Sequence, residues 1–177
     1  MKSLIAALLA LTGAVTVAKD WDADVAAIVR LHGLERQGHL TGSADLVTAT
    51  LADRLTVVEN GEVHIMSRND VHRTFVDYLK SVRYSAWEDV TAPDVHVARD
   101  GFTAWAVIRI HAKTSDVGDN KSKEEHEFLS SWIAVYEKQK GQWRMVAISS
   151  GCNPPCGLPE SRRAATVWFG TITTGHI

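Results

Sequence analysis

Residues Glu124 to Ser150 read EEHEFLSSWIAVYEKQKGQWRMVAISS, and the fold of the whole chain turns on them. Two alternating runs flank the polar turn Lys138-Gln139-Lys140-Gly141, which predicts a long β-hairpin. On its first strand Leu129, Ser131, Ile133 and Val135 share one face, while His126, Phe128, Ser130, Trp132, Ala134 and Tyr136 share the other. On the second, Arg144, Val146 and Ile148 alternate with Trp143, Met145 and Ala147. Neither face is polar throughout, so each needs an apolar partner from elsewhere in the chain.

The preceding stretch supplies more sheet. Trp87 and, beyond Pro93, Val95 and Val97 form a first run, and Asp100-Gly101 turns it. From Phe102 to Lys113 the chain returns with Ala104, Ala106, Ile108, Ile110 and Ala112 on one face and Trp105, Val107, Arg109 and His111 on the other. Thr114 to Lys123 is polar and reads as a mobile loop. If that loop closes symmetrically, His111 stands opposite His126 and Lys113 opposite Glu124.

Toward the N-terminus the period changes to helical. Between Ala23 and Gln37, Val25, Ile28, Val29 and His32 fall on one side, with Asp22 as cap and Gly38 as stop. His32 therefore sits on an apolar face, where a hydrogen-bonded core histidine is the plainer reading and a catalytic one the sharper. Ser43 caps a short second helix carrying Leu46, Val47, Thr50 and Leu51. Leu55 to Glu59 and Glu62 to Met66 flank Asn60-Gly61, a hairpin turn signal. Ser67-Arg68-Asn69-Asp70 then opens a third helix through Val71, Phe75, Tyr78, Leu79 and Val82. The expected architecture is α+β, a cone-shaped roll of three N-terminal helices on a strongly curved, mostly antiparallel sheet.

The 177 residues suffice for one core plus a leader. A formal charge of −2, with acids and bases interspersed, argues against nucleic acid as a partner. Residues 2 to 18, KSLIAALLALTGAVTVA, have the plan of a secretory signal peptide with cleavage near Ala18, leaving a secreted or periplasmic product off the membrane. The organisation expected is leader 1–18, cone domain 19–150 and tail 151–177. Cys152 and Cys156, in GCNPPCG, favour a small disulfide after export; a metal or redox pair and free thiols are the alternatives. Within the tail, TVWFGTIT reads as another strand, a cover over an open edge, or a segment lent to a neighbour.

LADRLTVVENGEV followed by a capped helix, and later SSWIAVYEKQKGQWRMVAISS, resemble the nuclear transport factor 2-like superfamily in its SnoaL-like, ketosteroid-isomerase-like branch, over about Asp22 to Ser150. The resemblance implies a conical pocket for a small, mostly apolar or amphipathic molecule, no cofactor, and a homodimer formed through the outer face of the sheet. Such cones include isomerases, dehydratases, cyclases and non-catalytic association domains, so the fold leaves function open. Laying LADRLTVVEN on a segment resembling YADDATVEDP puts Glu59 at the family's proton-abstracting position. The family's oxyanion-hole tyrosine and protonated aspartate fall at about Glu35 and Ile133, which removes that hole and argues against steroid isomerisation. The stretch where exported members often carry a histidine is here Ala147-Ile148-Ser149-Ser150.

The expected pocket wall is Val29, Val57, Ile108, Ile110, Ser131, Ile133, Val146 and Ile148, with Glu59 as general base and His32 as its helper. A solvated turn residue is the competing reading of Glu59. No H-x-H or H-E-x-x-H motif occurs; the His111–His126 pair begins a zinc or copper site with no third ligand, and a subunit-facing pair is the plainer reading. Trp105, Trp132 and Tyr136 are read as subunit-facing aromatics. Three functions follow: a binding protein without chemistry, a proton-transfer or dehydration enzyme, and an association module.

Overall fold

The structure, a computed structural model, describes residues 21–59, 62–117 and 125–152. In chain order come α1 (Trp21–Thr41), α2 (Ala44–Thr48), β1 (Leu51–Glu59), β2 (Glu62–Ser67), α3 (Arg68–Ser81), β3 (Val82–Asp89), β4 (Asp94–Val97), β5 (Thr103–Asp116), β6 (Glu125–Gln139) and β7 (Gln142–Cys152). They build an α+β fold, helices on one curved sheet ordered β2-β1-β7-β6-β5-β3, with β4 also on β5. Every pairing is antiparallel except β1 with β7. The leader, Asn60-Gly61, the pairing of Cys152 with Cys156, and the tail beyond Cys152 lie outside the described residues.

Parity decides the register of β5 and β6. Ala104, Ala106, Ile108, Ile110, Ala112 and Thr114 are buried on β5, and only the even-numbered set of β6, from His126 to Tyr136, is apolar and bulky enough to extend that surface. The strands accordingly pair Ile108 with Trp132 and Thr114 with His126. Trp132 and Tyr136 thus turn inward, not toward a subunit, while Ser131 and Ile133 face outward, Ile133 at 42 % exposure. His111 stands opposite Leu129 on the outer face and His126 is buried on the inner one, so the expected pair does not form. His111 instead bonds Glu127, which also takes Lys113 at 3.3 Å; the His111 bond first, then Lys113, holds that carboxyl below its ordinary value. β5 also runs on to Asp116, paired with Val82, so Thr114 and its neighbours are strand and Val82 opens β3.

A bulge corrects a second expectation. Val135 pairs with Ala147 but Tyr136 pairs with Met145, leaving Val146 as the extra residue. Phase is reset there, so Trp143, Met145 and Ile148 all point inward although strict alternation would separate Ile148 from the other two. Val146 is consequently not part of the inner wall. Ser85 plays the same part on β3, between Tyr84 opposite Thr114 and Ala86 opposite Lys113.

The first helix continues through Gly38. It ends at Gly42 (φ +69°), where Ser43 N–H donates to Gly38 O and Gly42 N–H to His39 O, the paired bonds of a Schellman stop. Gly38 matters for packing instead, because a Cβ there would lie 2.6 Å from Val47 Cγ2, so the glycine lets α1 and α2 touch. Ile28, His32, Glu35 and His39 form the buried stripe of α1, whereas Val29 is 38 % exposed and belongs to no pocket wall. Ser43 and Ser67 cap α2 and α3 as expected, accepting from Leu46 N–H and Asp70 N–H.

Candidate functional site

Inner-face side chains of the sheet fall into rows. One row runs Ile108, Trp132, Ser150 across β5, β6 and β7. One residue beyond the parallel pair Val58–Ser149, Glu59 joins its end. The next row is Asp89, Ile110, Ser130. Over these rows lies α1, and it lowers His32 onto them.

His32 is 3 % exposed. Its Nε2 is 2.7 Å from Asp89 Oδ1, and its ring lies 6.0 Å from that of Trp132. Nδ1 makes no hydrogen bond and has Glu35 Oε2 4.0 Å away. With the proton on Nε2 directed at Asp89, Nδ1 carries the lone pair, which is the arrangement of a general base held by a carboxylate. Asp89 keeps a quarter of its side chain exposed, so the pair lies at the border of the core rather than sealed in it.

Glu59 is buried and faces inward with Leu55 and Val57. Its Oε2 has no hydrogen-bond partner. Burial raises its carboxyl above the ordinary value, and the exposed His64 opposes the rise. Its place at the hairpin end does not make it a solvated turn residue, because the β1 alternation commits odd-numbered positions there to the inside. Two strand spacings separate it laterally from Trp132, about 10 Å. Glu59 and His32 therefore face the same inner side of the sheet from the two sides of Trp132, without forming a pair.

Further hydrogen-bonding atoms face the interior. Trp87 Nε1 and Tyr136 Oη are buried and have no hydrogen-bond partner. Burial first, and then the Glu35 charge, push the Tyr136 hydroxyl far above its ordinary value, so it is a donor at any working pH. Val57, Ile108, Ile110 and Ile148 line the inner face as the sequence predicts. Asp89, Trp132 and Glu35 were not foreseen in this role. Asp89 had a legible signal, because it stands two residues beyond buried Trp87 on the same strand and so shares its face. Ile133, where the resemblance put the second oxyanion donor, lies outside, one residue from inward Trp132.

Among the described residues no group of three or more His, Cys, Asp or Glu side chains is placed to hold a metal ion.

Residues 37–151 match the model of the SnoaL-like domain, and the chain belongs to that family, within the nuclear transport factor 2-like superfamily. No curated protein matches the chain. Solved structures with the same fold include a ketosteroid isomerase-like protein from Erwinia carotovora atroseptica, with 12 % identity, TM-score 0.61, and coverage of 76 % of this chain and 100 % of that one. A hexachlorocyclohexane dehydrochlorinase, LinA-type3, from Novosphingobium barchaimii has 12 % identity, TM-score 0.57, and coverage of 74 % and 87 %. An NTF2-like protein of unknown function in nutrient uptake from Rhodospirillum rubrum has 17 % identity, TM-score 0.55, and coverage of 71 % and 98 %. At these identities the likeness concerns the fold.

Proposed function

We propose that the hollow between α1 and the sheet binds a small, mostly apolar molecule and moves a proton on it, without a cofactor. The observation that carries this is the part-buried His32–Asp89 pair, whose Nδ1 makes no hydrogen bond, on the same inner face as the inward Glu59, whose Oε2 has no hydrogen-bond partner. One group of the two takes the proton and the other returns it, which is isomerase, dehydratase or cyclase chemistry. Carbon acids beside a carbonyl suit it, because a desolvated carboxylate is more basic than a solvated one. Tyr136 and Trp87 offer donors to a polar function of the ligand.

The test needs no knowledge of the physiological substrate. Incubated in D2O with 2-cyclohexenone and followed by proton NMR, the protein exchanges the α-hydrogen faster than buffer. Glu59→Gln and His32→Gln both lose the acceleration. Binding of the enone with no exchange above buffer would leave a binding protein and remove the chemistry.

A second reading concerns the outer face. Registers join Val63, Val58, Ser149, Ile133 and Val107 into one row, and Ile65, Thr56, Ala147, Val135 and Trp105 into the next. Val63 and Ile65 are exposed by more than half, and His96 stacks on Trp105 at 4.0 Å. Such a stripe supports a homodimer formed through the sheet, which sedimentation of wild type against Ile65→Lys tests. Export, with cleavage near Ala18, and a Cys152–Cys156 disulfide complete the proposal; N-terminal sequencing and thiol titration of the mature protein check them.

A further inference from the structure

α1 has a second working face. Turned about 100° from the stripe of Ile28, His32 and Glu35, it presents Ala27, Arg30, Leu31 and Leu34 to a surface cavity of about 640 Å³. The β6–β7 turn supplies the other wall with Lys138, Gly141, Gln142, Trp143 and Arg144. That volume falls in the range of sites for drug-sized ligands. Floor and rim differ in character: Leu31, Leu34 and the indole of Trp143 are apolar, and Arg30, Lys138 and Arg144 are cationic.

The charge is not balanced locally. Asp24 is the cavity's carboxylate, and it is engaged by Lys138 Nζ and, at 3.0 Å, by Trp143 Nε1–H, with Lys138 also 4.9 Å from the centre of that ring. Among the described residues Arg144 donates to neutral acceptors only, Ala49 O and Gln142 Oε1. No carboxylate pairs with Arg30 among the described residues. Glu137 stands opposite Arg144 in the register but forms no ion pair with it. A chain of formal charge −2 thus holds, among the described residues, two guanidinium groups without an ion pair around one apolar-floored cavity. A Cβ added at Gly33, at the cavity's edge in mid-helix, would meet nothing within 4 Å, so no contact inside the protein requires a glycine there. Gly in a helix interior is otherwise unfavourable relative to Ala.

We infer that this groove is a second ligand site, separate from the hollow under His32, and that its occupant is an amphipathic anion. The apolar body lies on Leu31, Leu34 and Trp143, and the carboxylate meets Arg30 and Arg144, whose planar forks suit it.

Decanoate is the probe, followed by calorimetry on the full chain, with decanol as its uncharged counterpart. Decanoate binds more tightly than decanol. Arg30→Gln weakens decanoate at least tenfold and leaves decanol unchanged, Leu34→Asp weakens both, and Asp89→Asn binds decanoate like wild type. Arg30 is exposed and Leu34 half-buried, so these variants keep the fold, which circular dichroism verifies. Failure of decanoate to bind, equal affinity in wild type and Arg30→Gln, or loss of binding in Asp89→Asn would each overturn the site, the last by assigning the anion to the interior.

Discussion

His32 and His39 lie on the same face of one helix, seven residues apart, and both are almost fully buried, yet they live in different chemical worlds. His39 is packed among aromatic rings, with Trp87 at 4.3 Å, Tyr84 at 5.0 Å and Phe75 at 5.5 Å, and its Nδ1–H donates to Glu35 O at 2.9 Å. Desolvation lowers its pKa to about 4, so it is neutral and structural. His32 meets carboxylates, Asp89 at 2.7 Å and Glu35 at 4.0 Å, and keeps one nitrogen unbonded. Burial of a histidine is therefore no mark of function; what decides is whether its neighbours are rings or charges.

That contrast breaks most readily by volume. His39→Ala removes the ring that Trp87, Tyr84 and Phe75 surround and costs about 3 kcal/mol in urea unfolding, the scale of aromatic truncation in a core. If His32→Ala cost more than His39→Ala, the assignment of structural and chemical roles would have to be exchanged.

Acid sharpens it next. In the native state His39 binds its proton less readily than in the unfolded chain, so between pH 6.5 and about 4 the unfolded state carries more protons and stability falls as pH falls. The loss across that window approaches about 3 kcal/mol at 1.36 kcal/mol per unit. His39→Phe keeps the ring packing and flattens this limb of the stability profile. A wild-type profile already flat there would contradict a neutral, buried His39.

Asp89→Asn acts on the other histidine. It weakens a partly exposed, charge-assisted bond and so costs about 1 kcal/mol in stability, while α-proton exchange falls to the buffer rate. Stability lost without any loss of exchange would make the pair a pin between α1 and β3.

The smallest expected effect is a gain. Glu59 has a raised pKa, so its native carboxylate is disfavoured once pH exceeds the ordinary value of 4.5. Glu59→Gln raises Tm at pH 7 by the equivalent of less than about 1 kcal/mol, and the advantage disappears below pH 4.5. Destabilisation at pH 7 would mean that Glu59 has a partner and is structural.

Much of the framework was legible because it rests on local rules. Ser43 and Ser67 cap their helices because a hydroxyl placed there satisfies a helix-end N–H whatever the surroundings. The alternation in β5 showed which of its faces is buried, since five small or branched apolar residues oppose Trp105, Arg109 and His111. The site was half legible. Glu59 and His32 are both legible as candidates, base and helper, but their placement on opposite sides of Trp132 is not. Asp89 escaped because its parity with Trp87 marks the inner face but not the partner, and the histidine it meets lies 57 residues away in the chain.

By itself the sequence determined the kinds of element, their order, the caps and the alternating faces, all of which depend on residues within a turn or two of each other. Tertiary structure alone decided which face of β6 turns inward, since a shift of an odd number of residues in its pairing with β5 exchanges every side chain. It also decided where the Val146 bulge resets β7, and that His32 would meet a carboxylate 57 residues away while His39 met rings. Those outcomes belong to the packing of the whole sheet, which minimises the apolar surface left to water over all strands at once.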